Sequence, residues 1–210
     1  SLGLVGSEMC IRDSSHADTS GSIVGSSWTD GRWPGKHALE FRNVSDRVRL
    51  SVPGETENLT MAVWVRVAGL DRTFNSLFMS ESWGERRVHW QITRNGAVRI
   101  GIAKETEKHH DNYDAPEFFT PERFGVWTHL AVVFDSKAGE VRHYANGQRV
   151  STEQLKNASP LHIGIAELGN WNDRGKTIPV AIRNLSGAMD EFALWNRVLS
   201  DDEIQSLARY

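Results

Sequence analysis

Apolar and polar residues alternate along most of this chain with a period of two. In NLTMAVWVRV (58–67), Leu59, Met61, Val63, Val65 and Val67 fall on one face, as a strand lying half against a core requires. The same pattern predicts strands at HALEF (37–41), RVRLSV (47–52), SLFMSE (76–81), VHWQIT (88–93) and AVRIGIA (97–103). It continues through VWTHLAVVFD (126–135), EVRHYA (140–145), PLHIGIA (160–166) and SGAMDEFALWN (186–196). Trp127, His129, Ala131 and Val133 share one side of their run, and Leu130, Val132 and Phe134 share the other. That strand is therefore predicted to be buried on both faces. Pro53-Gly54 reads as a turn, and Asn95-Gly96 and Asn146-Gly147 read as two-residue hairpins, since Asn-Gly supplies the positive-φ pair of a type I′ turn.

The pattern changes character in four places. Residues 20–27 are rich in Gly and Ser and read as a loop or a weak edge strand. Residues 104–125 and ELGNWNDRGKTIP (167–179) read as long polar connections, a length more often functional than a simple turn. Near the end, Leu199-Ser200-Asp201-Asp202-Glu203-Ile204 reads as a helix start. Ser200 and Glu203 have capping-box spacing, and Leu199 can staple over Ile204. Short strands joined by hairpins, with one terminal helix, predict an all-β, antiparallel two-sheet sandwich.

Composition narrows the partners. A chain of 210 residues suits one all-β domain. A net charge of −3 gives no electrostatic footprint for nucleic acid. Unbroken apolar runs are short, as in Leu130–Phe134, so no membrane span is expected in this chain. Cys10 is the only cysteine, which excludes a disulfide framework and a cysteine zinc site. SLGLVGSEMCIRDS (1–14) departs from the pattern of the rest and lacks a basic n-region. It reads as a non-native leader, an assembly or adapter scar, with the domain itself occupying 15–210.

Several segments, in order, carry a family likeness: DTSGSIVG (18–25), ALEF (38–41), MAVWVRV (61–67), WTHLAVVFD (127–135), VRHYANGQRV (141–150), LHIG (161–164) and GAMDEFALWNRVLSDDEIQSL (187–207). Together they resemble a LamG-like jelly roll of the concanavalin A-like lectin/glucanase superfamily. TDGRWPGKHALEF, GLDRTFNSLFMSESW and FFTPERFGVWTHLAVVFD further resemble the C-terminal domain of FecR-type envelope proteins, which are membrane-anchored anti-sigma signalling regulators. The resemblance implies a jelly-roll sandwich and a strand ahead of Asp18-Thr19-Ser20-Gly21. That native first strand is expected to be missing or imitated by residues 1–14.

Candidate chemistry is sparse. Trp127, His129 and Asn146-Gly147 read as scaffold, because no nucleophile motif accompanies them; Trp64 and Trp195 read as packing. Glycoside hydrolysis needs two carboxylates that bracket one bond. The nearest pair, Asp190-Glu191, is adjacent on a strand and so points to opposite faces. Asp190 is predicted to share the inward face of Phe192 and Leu194, where a carboxylate needs a partner. That partner is either an internal cation or N–H clamp, or a structural calcium held with Asp18 and main-chain oxygens, which the resemblance makes reasonable. The histidine pair His109-His110, with Asp111 and Asp114, offers ligand types for a transition metal, but no i,i+4 or C-x-x-C spacing fixes their geometry, and the segment reads as a solvated loop. Sugar binding is expected at aromatics that stack on a pyranose, with amides and carboxylates reading hydroxyls. The candidates are Trp171 with Asn170, Asn172 and Asp173, then Tyr113 and Trp83.

The expected role is thus a non-catalytic recognition domain that binds a glycan at the tail of a larger cell-envelope protein, periplasmic or extracellular. The alternative is a protein-interaction or spacer domain in a FecR-type signalling protein whose parent is membrane-anchored. A glycoside hydrolase is the minor alternative.

Overall fold

The computed structural model describes residues 2–3, 21–82, 84–104, 110–171 and 182–209. In chain order the strands are β1 (Leu2–Gly3), β2 (Ser22–Val24), β3 (Ser27–Asp30), β4 (His37–Phe41), β5 (Arg47–Thr56), β6 (Asn58–Gly69), β7 (Phe74–Ser80) and β8 (Val88–Thr93). They continue as β9 (Ala97–Ala103), β10 (His110–Glu117), β11 (Trp127–Asp135), β12 (Glu140–Ala145), β13 (Gln148–Gln154), β14 (Leu161–Leu168) and β15 (Ser186–Trp195), and the chain ends in helix α1 (Asp201–Leu207).

Two antiparallel sheets stack face to face. One runs β13-β12-β11-β6-β15-β4-β3, with β1 pairing β15; the other runs β10-β9-β8-β7-β14-β5-β2. Leu59, Met61, Val63, Val65 and Val67 of β6 all enter the layer between them, with Leu130, Val132 and Phe134 of β11. Trp90, Ile92, Val98 and Ile100 meet them from the second sheet. The other face of β11, carrying Ala131 and Val133, packs with Ala62, Tyr144, Leu199 and Ile204 beneath α1. Both faces of β11 are therefore buried, as its pattern predicts. Ser200 and Glu203 form the full capping box.

The turns show where local chemistry departs from expectation. Asn146 and Gly147 both have positive φ, at 50° and 77°, and they close the two-residue type I′ hairpin from Ala145 to Gln148. The Asn146 side chain accepts from the His129 backbone N–H at 3.0 Å, tying the turn to β11. Asn95-Gly96 is different. Gly96 N–H donates to Thr93 O at 2.9 Å, and Gly96 alone of the pair has positive φ, at 90°. This is a type I turn followed by a left-handed glycine, the three-residue hairpin. Pro53-Gly54 does not end its strand either: β5 runs through it, and the pairing with β14 shifts register between His162 and Gly164. Gly54, at φ 81°, absorbs the irregularity. Part of the long polar stretch is strand β10, in which Asp111, Tyr113 and Ala115 alternate inward.

Leu2 and Gly3 pair with Leu194 and Ala193; the rest of 1–14 lies outside the described residues. His129 and His143 are both buried, and burial lowers each to about 4, with Arg32 adding to the effect at His129. These are frame histidines held neutral.

Two outcomes follow from this frame. A Cβ on Gly96 would lie 2.1 Å from Phe119 O, so Gly96→Ala should cost about 2 kcal/mol or more, read as a lower urea midpoint at unchanged slope. The unfolded chain protonates its histidines near pH 6.5 while the folded state holds His129 and His143 neutral to about 4. The unfolded state therefore binds more protons in this window, and stability falls as pH drops from 6.5 toward 4, by roughly 3 kcal/mol per histidine. Urea melts of His143→Gln should show about half the loss contributed by the pair, whereas an unchanged pH dependence would contradict it.

Candidate functional site

Strand β15 does not keep its period of two. Asp190 pairs with Trp64 and Ala193 with Ala62, with a register shift between them. The extra residue is Glu191, at φ 51°. Such a bulge swaps the faces on either side of it. Met189, Phe192 and Leu194 enter the core, while Asp190 lies on the outer face beside Trp64, which in turn pairs with His129. Asp190 therefore does not share the face of Phe192 and Leu194, because the bulge intervenes.

Nor do the two acids point apart. Arg32 Nη2 donates to Glu191 Oε2, and Arg32 Nε lies 3.8 Å from Asp190 Oδ2. Lys36 Nζ donates to the other Glu191 oxygen. Burial, with Glu191 adding to it, raises the Asp190 carboxyl above the usual carboxylate range; Lys36 and Arg32 pull the other way. Arg32 is thus an ion-pair partner of the buried acid, whose Oδ2 has no hydrogen-bond partner; Asp18, the other residue expected at a calcium site, lies outside the described residues.

Arg32 comes from the β3–β4 hairpin. Trp33-Pro34-Gly35-Lys36 closes through Lys36 N–H to Trp33 O at 3.1 Å, with Gly31 N–H to Lys36 O at 2.9 Å. Proline in second place and Gly35 at φ 82° in third make a type II turn. This turn lays the Arg32 guanidinium over the Trp64 ring, 3.9 Å from its centroid, and 4.7 Å from that of Trp33. The arginine side chain is almost wholly buried, yet Trp33 itself is 46 % exposed. Sequence reasoning missed Arg32 and Trp33 as a unit. The Trp-Pro-Gly-Lys turn was the available signal, since it fixes the tryptophan at a hairpin tip.

The predicted sugar site divides among separate places. Trp171 is only 5 % exposed, so it is not the open stacking surface expected of it. It covers the outer face of the second sheet: its Nε1 donates to Glu81 O at 3.1 Å, its ring meets His89 edge-on at 4.9 Å, and Arg183 lies over it at 4.2 Å. The Asn170 amide donates to Val44 O and Asp46 O and accepts from the Trp171 N–H, which consumes the groups that were to read hydroxyls. Asn172, Asp173 and Trp83 lie outside the described residues. Tyr113 is 1 % exposed and part of the core. Its hydroxyl accepts from Lys156 N–H at 3.0 Å, and burial raises it above the usual phenol value. It lines a polar cleft of about 480 Å³ with Asp111, Lys104 and Lys156. Asp111 pairs with Lys104 at 3.0 Å, so this part of 104–117 is ordered sheet rather than solvated loop.

The carboxylates at these places lie in ion pairs with cations. Asp190 and Glu191 converge on one arginine. Glu81 and Glu167, near Trp171, both face Arg49, at 2.7 and 3.8 Å, and Glu167 also faces Arg47 at 3.2 Å.

Comparison with known proteins agrees with this architecture. The chain is 23% identical over 159 residues to Pentraxin-related protein PTX3 of Mus musculus, covering 73% of this chain and 39% of that protein. To the Bos taurus protein of the same name it is 28% identical over 194 residues, covering 85% and 47%. The chain therefore spans less than half the length of these curated relatives. Among solved structures, the botulinum neurotoxin serotype G binding domain superposes with a TM-score of 0.75 at 13% identity, over 99% of this chain and 50% of that one. The Ruminococcus gnavus IT-sialidase CBM40 bound to alpha2,3 sialyllactose superposes with a TM-score of 0.57 at 17% identity, over 73% and 83%. Residues 42–205, more than half of the chain, match the Laminin G 3 family. Two stacked antiparallel sheets and that match agree, and the chain belongs to the Laminin G 3 family of the concanavalin A-like lectin/glucanases superfamily.

Proposed function

We propose that this domain is a non-catalytic recognition module that binds glycans outside the cytoplasm, within a larger envelope or secreted protein. The observation that carries the reading is the state of the carboxylates: Asp190, Glu191, Glu81 and Glu167 are each engaged by arginine or lysine. Such a domain holds a ligand and does not cleave it. The reading is supported by the names of its neighbours, a toxin binding domain and a carbohydrate-binding module bound to sialyllactose. Extracellular placement is supported by the pentraxin-related and Laminin G 3 likenesses. The finer context, the tail of a FecR-type signalling protein, rests on the TDGRWPGKHALEF likeness in the sequence.

The 210-residue domain on a broad immobilised-glycan array should give saturable binding to a restricted set of sugars. Repeating the array in EDTA separates two readings of Asp190: unchanged binding fits its ion pair with Arg32, and loss of binding fits a calcium ion. Silence across the array would overturn the glycan reading in favour of a protein-interaction domain, and release of new reducing ends from a bound polysaccharide would overturn the non-catalytic one.

A further inference from the structure

Two tryptophans of the β3–β4 hairpin, Trp28 and Trp33, keep 47 % and 46 % of their surface in water, whereas Trp90 is fully buried and Trp171 nearly so. Trp33 is set apart from Trp28 by its place at the hairpin tip, 4.7 Å from the Arg32 guanidinium. It is nevertheless braced. The type II turn fixes its backbone, and its ring rests near a guanidinium that is itself stacked on Trp64. Two carboxylates hold that guanidinium from β15. The one that reaches Nη2, Glu191, sits on a residue with positive φ, an uncommon conformation for a side chain of its kind. Strain of this sort persists where the surroundings over-determine it, and it gathers at ligand sites. Ordering an aromatic in advance lowers the entropy lost when a ligand is held.

The surroundings of the ring add polar reach. Arg32, 4.7 Å from the ring centroid, pairs with Glu191, which pairs with Lys36; Lys36 and Glu191 have 31% and 24% of their side chains exposed, and both retain donor or acceptor capacity beyond these bonds. Charge is balanced: Arg32 and Lys36 face Asp190 and Glu191, two cations against two anions. A balanced rim gives no preference for an acidic sugar.

From this geometry we propose that Trp33 is the stacking platform of a glycan site formed by the β3–β4 hairpin and the β15 bulge, and that its ligand is a neutral, gluco-configured pyranose. Such a ring has equatorial hydroxyls and so offers a flat C–H face to the indole, while its hydroxyls reach Lys36 and Glu191. The proposal rests on the glycan reading above and moves the site away from Trp171.

The test uses the intact domain with chitohexaose, cellohexaose, laminarihexaose and 3′-sialyllactose as probes, by saturation-transfer NMR and titration calorimetry. At least one neutral hexasaccharide should bind, and 3′-sialyllactose should not bind more tightly. Trp33→Ala should weaken binding about tenfold or more with its thermal midpoint nearly unchanged, because the ring is half in solvent. Trp33→Tyr, which keeps a flat ring, should restore most of the affinity. Binding that survives Trp33→Ala, or that is confined to acidic glycans, overturns this site while leaving the glycan reading intact. Silence toward the hexasaccharides and the whole array overturns both.

Discussion

Two pleated layers, each with one face that water disfavours, can be stable only when those faces meet. That single requirement organises the molecule. β6 lies near the middle of its sheet, and its five inward side chains, Leu59 to Val67, fix which residues of β11 and β15 must also point inward. A slip of one residue would turn the whole apolar set to the outside. The outward-facing side chains therefore lie on the two faces left over.

Those outer faces are not left bare. On the first sheet, α1 roofs the alanines and valines near Tyr144, and the β3–β4 hairpin lays Arg32 across Trp64. On the second, Trp171 and Arg183 close over His89 and Gln91. On the second sheet the buried Asn170 amide and the Trp171 N–H groups find partners within the chain, whereas on the first sheet Trp64 Nε1, His129 Nδ1 and Asp190 Oδ2 are buried with no hydrogen-bond partner. Asp190, Glu191, Glu81 and Glu167 each lie in an ion pair with arginine on these faces, which is what supports the proposed recognition role.

Much of the frame was legible in the sequence, because a period of two in β6, β8, β9 and β11 is a direct record of which side faces the core. The Asn146-Gly147 turn and the Ser200–Glu203 cap were equally legible, since each rests on geometry that few residues supply. What was hidden has one physical origin, local irregularity. A bulge at Glu191 reversed the face assigned to Asp190, and Gly54 carried β5 past an apparent stop. β10 hid behind composition: its inward residues, Asp111, Tyr113 and Ala115, include a charged one, so the alternation did not look hydrophobic. Trp171 was misjudged because polar neighbours in sequence, such as Asn170, spend their hydrogen bonds on the backbone of residues 44 and 46. Trp33 was overlooked because proline and glycine beside it read as a turn alone.

On the proposed reading a glycan is recognised at a braced, exposed aromatic on the outside of the sandwich, while the buried tryptophans serve the frame. Fluorine NMR of the domain labelled with 5-fluorotryptophan tests it most directly, with the resonances assigned by single replacements and followed during titration with a bound glycan. The account predicts that the Trp33 signal shifts and broadens while those of Trp90 and Trp171 stay in place. A shift confined to Trp171, with Trp33 silent, would contradict it.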